Sequence, residues 1–159
     1  MALQTKYGNF AKSIGAAPVS QAITGVGFQP KAIIFWWTRQ TAAGTAAHIQ
    51  AGMGFATSST VRGCISGASD DAVADSNTGR ALRTTLCIEM LSAGTPTSVA
   101  QADLTSMDAD GFTINWTANE ARADIIHYLA LGGTDLTNVL AGNFAANTVV
   151  GNQGVTGVG

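Results

Sequence analysis

The sequence predicts an all-β protein: an antiparallel β-sandwich, jelly-roll-like, of about eight strands. Three observations carry this. Apolar and polar residues alternate in several short runs, with the period of two that a half-buried strand requires. Turn-forming residues separate these runs. Helix signals are poor, because nineteen glycines are scattered through the 159 residues and β-branched residues are frequent.

Taken in chain order, residues 7–12 form a weaker strand candidate. Residues 32–37 are apolar on both faces and read as a central strand covered on both sides. Ile49, Ala51, Met53 and Phe55 then alternate with His48, Gln50, Gly52 and Gly54. Residues 58–80 are rich in Ser, Gly, Asp and Thr and read as a long loop holding at most a short strand at 61–65. Loops of that length are often functional, which makes this segment the first candidate for a contact loop. Leu86, Ile88 and Met90 alternate with Thr85, Cys87 and Glu89. A turn at 94–97 leads to a weaker strand at 99–105. Asp108-Ala109-Asp110-Gly111 is a tight turn that feeds the alternating run Phe112, Ile114, Trp116. Residues 119–124 suit a single helical turn. Residues 125–131 are a second run apolar on both faces, closed by Gly132-Gly133, and 139–144 is the last weaker strand candidate.

The chain also repeats itself. Gly8-Asn9-Phe10-Ala11 recurs as Gly142-Asn143-Phe144-Ala145, and the word at 21–27 (QAITGVG) recurs at 153–159 (QGVTGVG). Two words in the same order at nearly the same offset indicate a unit of about 130 residues. The expected organisation is a sandwich domain over residues 1–141. Residues 142–159 then begin a second repeat or act as a terminal linking strand, with Gly142, Asn143 and Phe144 as expected contact residues.

Composition narrows the function classes. Charged residues are 11% of the chain, less than half of the roughly 25% usual in soluble domains, while hydrophobic residues are 46%. Such a surface suits a chain partly covered by other chains, and self-association is the expectation. The formal net charge of -2 gives no footprint for nucleic acid. Its distribution is uneven: Lys6, Lys12, Lys31, Arg39 and Arg62 precede the first acid, Asp70, and all ten acids follow against only three cations. Unlike faces of neighbouring copies would attract. No signal-peptide pattern and no apolar run near 18 residues is present, so synthesis in a cytosol without membrane insertion is expected. Cys64 and Cys87 do not make a disulfide framework and read as small buried residues.

Catalytic patterns are sparse. Gly63-Cys64-Ile65-Ser66-Gly67 places its serine one position too late for a nucleophile elbow. His48 and His127 read as hydrogen-bonded packing residues, without zinc-like spacing. Glu89 and Glu120 are the only glutamates available for paired-carboxylate chemistry. No cofactor is expected; Asp70, Asp71 and Asp75 are weak calcium candidates, with Asp108 and Asp110 as a second oxygen-rich pair. Trp36 and Trp37 are adjacent and so face opposite sides of a strand, one toward the core and one toward a subunit contact or a sugar ring. Gly52 and Gly54 share a face and leave room for such a ring.

The run Gly27-Phe28-Gln29-Pro30-Lys31-Ala32 resembles the opening of modules found in tailed-phage and prophage virion proteins. The runs 110–116 (DGFTINW) and 127–133 (HYLALGG) resemble later strands of the same modules, so the resemblance spans about residues 24–133. These words describe strands and turns and carry no catalytic residues. They imply a β-sandwich virion component that decorates a capsid, builds a tail fibre or tip, or binds a host surface glycan. Its implied partners are itself and other virion proteins.

Overall fold

The computed structural model describes residues 2–75, 77–94 and 97–157. These residues form ten strands in two antiparallel sheets, with no helix among them. The strands are β1 (Gln4–Ala11), β2 (Val19–Thr24), β3 (Pro30–Trp37), β4 (Ile49–Ala56), β5 (Arg62–Ser69), β6 (Thr78–Arg83), β7 (Ile88–Leu91), β8 (Ser98–Asp108), β9 (Gly111–Ala118) and β10 (Ile125–Gly132). The larger sheet runs β1-β10-β3-β4-β5-β6 and the smaller β2-β9-β8-β7. Thus β1 lies beside β10 and β2 beside β9, so the two ends of the sandwich wrap together in the jelly-roll manner. Between them, β3 to β6 form a meander in one sheet and β7 to β9 a meander in the other.

The core fills the space between the sheets. Ile33, Phe35 and Trp37 of β3 and Ile126, Tyr128 and Ala130 of β10 meet Ile88, Met90, Leu104, Phe112, Ile114 and Trp116 of the smaller sheet. The alternation at 112–116 places all three apolar side chains inward, as the period-two pattern demands. Phe112 sits edge-on to Phe35 at 5.6 Å and to Tyr128 at 5.3 Å, the geometry that ring quadrupoles favour.

Two glycines of β4 set how closely the layers approach. A Cβ at Gly52 would lie 2.2 Å from the Trp37 indole, so the glycine makes room for that ring. A Cβ at Gly54 would lie 1.9 Å from the Cys87 carbonyl oxygen, so there the space admits backbone of the opposite sheet rather than a ring.

Several expectations need correction. The sandwich has ten strands: seven of the eight expected, with β2, β5 and β6 added. Residues 58–80 hold β5 and the start of β6, whose inward residues are small enough to hide the alternation. Residues 119–124 form no helical turn. The segment is held by the adjoining strand ends instead: Lys12 N–H donates to the Asp124 carbonyl, and Ile125 N–H to that of Gln40, both at 2.8 Å. Residues 139–144 are not in a strand, since they cross a sheet face instead of pairing along an edge. The turn expected at 94–97 falls partly on Thr95 and Pro96, and the end of the repeated word on Val158 and Gly159, all outside the described residues.

Part of the uneven charge is used inside the chain. Buried Arg39 pairs with Glu120 and with Asp124, whose side chain is fully enclosed, and Arg122 also reaches Asp124 at 2.7 Å. Arg62 grips Asp103 through two hydrogen bonds of 2.5 and 2.7 Å. Two of the early cations, Arg39 and Arg62, therefore meet late acids within one molecule, and the Arg62–Asp103 pair ties β5 of the larger sheet to β8 of the smaller.

Candidate functional site

Residues 32–37 and 125–131 were expected to be covered on both sides. Their inner faces are, but their outer faces look away from the small sheet. Registers across all six strands define what lies there. Directly paired residues share a face. Asn9 pairs with His127, His127 with Trp36, Trp36 with Met53, Met53 with Ile65 and Ile65 with Leu82, forming one row across the whole sheet. A neighbouring row runs Tyr7, Leu129, Ile34, Phe55, Gly63.

These two rows are apolar almost throughout. Tyr7 is 75% exposed, Leu82 65%, Ile65 57% and Met53 54%. Trp36 stacks on His127 with the rings 9° from parallel and centroids 5.8 Å apart. Between Ala51, Met53, Ile65 and Leu82 the surface sinks into an apolar depression of about 800 Å³. A contiguous apolar face of this kind on a charge-poor chain is a candidate interaction surface. Its cost in water is offset only when something covers it.

Part of that cover comes from the chain's own C-terminal segment. Residues 139–142 line one cavity with Ile34, Phe55 and Leu131, and Gly142 and Asn143 line another with Met53, Ile65 and Leu82. Gly142 and Asn143 thus lie on the outer face, and Phe144 just beyond them is 64% exposed. Of the two tryptophans, Trp36 belongs to the row, while Trp37 is 2% exposed in the core and is no contact residue. Trp37 is buried because β3 turns its odd-numbered residues toward the small sheet.

The remaining candidates serve the fold. Asp70 Oδ1 lies 2.5 Å from His48 Nδ1, while Asp71 and Asp75 stand exposed. Among the described residues no three His, Cys, Asp or Glu side chains gather as a metal set. Asp108 accepts hydrogen bonds from the Ser106 and Thr113 hydroxyls at 2.7 Å, which hold its carboxyl below the usual range. Asp110 accepts from the N–H groups of Gly25 and Gly27, at 3.0 and 2.6 Å, and so anchors the end of β2. Cys64 and Cys87 are free and buried. Burial and the nearby Glu89 push the Cys64 thiol up to about 12, and burial raises Cys87 as well, so neither supplies a thiolate nucleophile.

Glu89 is fully enclosed and grips Arg83 through bonds of 2.7 and 2.8 Å. Burial alone would raise its pKa, but the bonds from Arg83 and Gln101 outweigh that and hold it low. Glu120 is taken up by Arg39. The two glutamates thus serve separate ion pairs.

The outer rows were only half legible in the sequence. Runs apolar on both faces flagged β3 and β10, but Ile65 and Leu82 were hidden in a segment that reads as polar. Comparison with known protein families, curated proteins and solved structures finds no match to this chain. The fold and the face define its class as a two-sheet antiparallel β-sandwich with a large apolar outer face.

Proposed function

We propose that this chain is a structural, self-associating virion protein of a tailed phage, acting as a capsid-decoration or tail-fibre component without catalysis of its own. The observation that carries the reading is the pair of apolar rows on the six-stranded sheet, with Met53, Ile65 and Leu82 each more than half exposed. The resemblance of residues 24–133 to virion modules supplies the setting, and the low charge fits a surface designed to be covered. Its partners are further copies and other virion proteins, and its place is the virion after synthesis in the host cytoplasm. Sedimentation of the purified chain over a concentration series tests this. Oligomers or ordered assemblies are expected; a monomer that persists at high concentration would overturn the reading.

A glycan-binding role is the second reading. Trp36 favours it, because its outward ring and the amide side chains of Asn9 and Gln40 lie around His127, beside a cavity of about 330 Å³. Titration with host polysaccharide, followed by tryptophan fluorescence, checks it; an unchanged spectrum removes it.

A further inference from the structure

The repeated words of the sequence return as repeated geometry. At the corner between β1 and β2, Gln21 Nε2 donates to the Ala11 carbonyl at 2.8 Å and Gln21 Oε1 accepts from Ser13 N–H at 2.9 Å. In the C-terminal segment, Gln153 Nε2 donates to the Ala145 carbonyl at 2.5 Å and Gln153 Oε1 accepts from Asn147 N–H at 2.9 Å. Ala145, Asn147 and Gln153 are the counterparts of Ala11, Ser13 and Gln21 under the alignment of the two words. The same glutamine clamp thus closes a second corner, two residues shorter, that rests on no sheet of its own.

We infer that residues 138–157 are a second β1–β2 unit whose docking site is the β1–β2 position, along β10 and β9, of another copy of this chain. Three features that seat β1 and β2 have counterparts in the segment, while buried Lys12 is replaced by Ala146 and Val19 by Gly151. Gly8 leaves room for the Tyr128 ring, which a Cβ there would meet at 2.6–2.9 Å, and Gly142 stands in its place. Phe10 packs on Phe112 and Tyr128, and Phe144, now exposed, corresponds to it. Gln21 Oε1 accepts from Trp116 Nε1 at 2.9 Å, and Gln153 brings the same acceptor.

Nothing lies within 4 Å of a Cβ added at Gly142 where it now stands. The glycine is therefore unnecessary for the resting position and necessary for the docked one. The choice of another copy follows from direction. From the end of β10 the segment crosses β3 and β4 toward Leu82 of β6, the edge opposite the molecule's own β1. The receiving copy's own β1 and β2 leave as the segment enters, so the exchange is between similar elements that share the Gly, Phe and Gln positions.

The inference rests on the self-association reading, and the test separates the two. Unlabelled full-length chain carrying Ala145→Cys is mixed with isotopically labelled chain carrying Ile125→Cys. The mixture is oxidised gently and its disulfides are mapped by mass spectrometry, with sedimentation in parallel. Ala11 is the partner of Ile125 in register, so the docked Ala145 position brings the two sulfurs within bridging range. A 145–125 bridge between labelled and unlabelled chains is expected. Adding Gly142→Val should reduce it about tenfold or more while leaving the thermal midpoint unchanged. Adding Gly154→Ala should keep it, because the counterpart position is Ala22, exposed on β2. Assembly without the bridge would overturn the inference and leave self-association standing. A bridge indifferent to Gly142→Val, or one formed within a single chain carrying both cysteines at high dilution, would overturn it too. A monomer throughout would remove both.

Discussion

Replacing Ile65 and Leu82 by threonine tests the apolar face directly. Both side chains point outward from neighbouring strands and are directly paired, so they form one patch of the long row. Fully burying an Ile or Leu side chain stabilises by roughly 1.5–3 kcal/mol. With 57% and 65% of their surface still exposed, each retains roughly 1–2 kcal/mol to gain on contact with another molecule. The double substitution should therefore weaken association by roughly 2–4 kcal/mol, which is about 30- to 700-fold in the dissociation constant. Threonine favours the strand backbone, and neither side chain enters the core, so the fold should be nearly unaffected. Sedimentation across a concentration series reads the first quantity and thermal unfolding the second. Association unchanged by the double substitution, in a chain that still assembles, would refute the placement of the contact on these rows.

Three further outcomes are expected. Gly54→Ala should destabilise the domain by more than about 3 kcal/mol, or prevent folding, because its Cβ would fall 1.9 Å from the backbone oxygen of Cys87; urea unfolding measures this. Glu89→Gln should cost about 2 kcal/mol at neutral pH through the weakened bonds to Arg83. Because the folded Glu89 pKa lies below the ordinary 4.5 of a glutamate, its contribution is present above that value and fades as pH falls through the folded pKa. Unfolding curves from pH 7 into that acid range should therefore converge for wild type and variant. Cys64 and Cys87 should resist a thiol reagent in the folded protein and react once denaturant is added, since both thiols are buried and their pKa values raised; rapid labelling of the native chain would contradict the burial.

Strand patterns were legible where a strand had one wet and one dry face, as at 112–116 of β9, or was apolar throughout, as at 32–37 of β3. They failed where packing, not hydropathy, fixes the strand. In β5 and β6 the inward positions are small residues such as Cys64, Ser66, Ala68 and Ala81, so no alternation marks them, and the pairing with β4 supplies what the pattern lacks. β2 was missed because only Ile23 of its six residues is buried. The two words of the repeat were readable, but not their meaning: only the paired amide bonds of Gln21 and Gln153 show that the words encode a corner. Conversely, 139–144 has a strand's composition and no strand, since it lies across a sheet face instead of along an edge. The acids grouped at Asp108 and Asp110 suggested a cation, whereas hydroxyls and backbone N–H groups of the adjoining strands already use their oxygens.

The pairing of β1 with β10 has a consequence for biosynthesis. Gln4 is matched with Gly132 and Ala11 with Ile125, so the first strand made must wait for the last one. Until then β1 and the central strand β3 each lack the neighbour that stands between them. Such long-range closure pays its loop entropy before any contact rewards it, which slows folding. A nascent chain halted before residue 125 would expose both strand edges and the aromatic interior at Phe35 and Phe112 at once. Premature termination should therefore yield aggregated material rather than a smaller soluble domain.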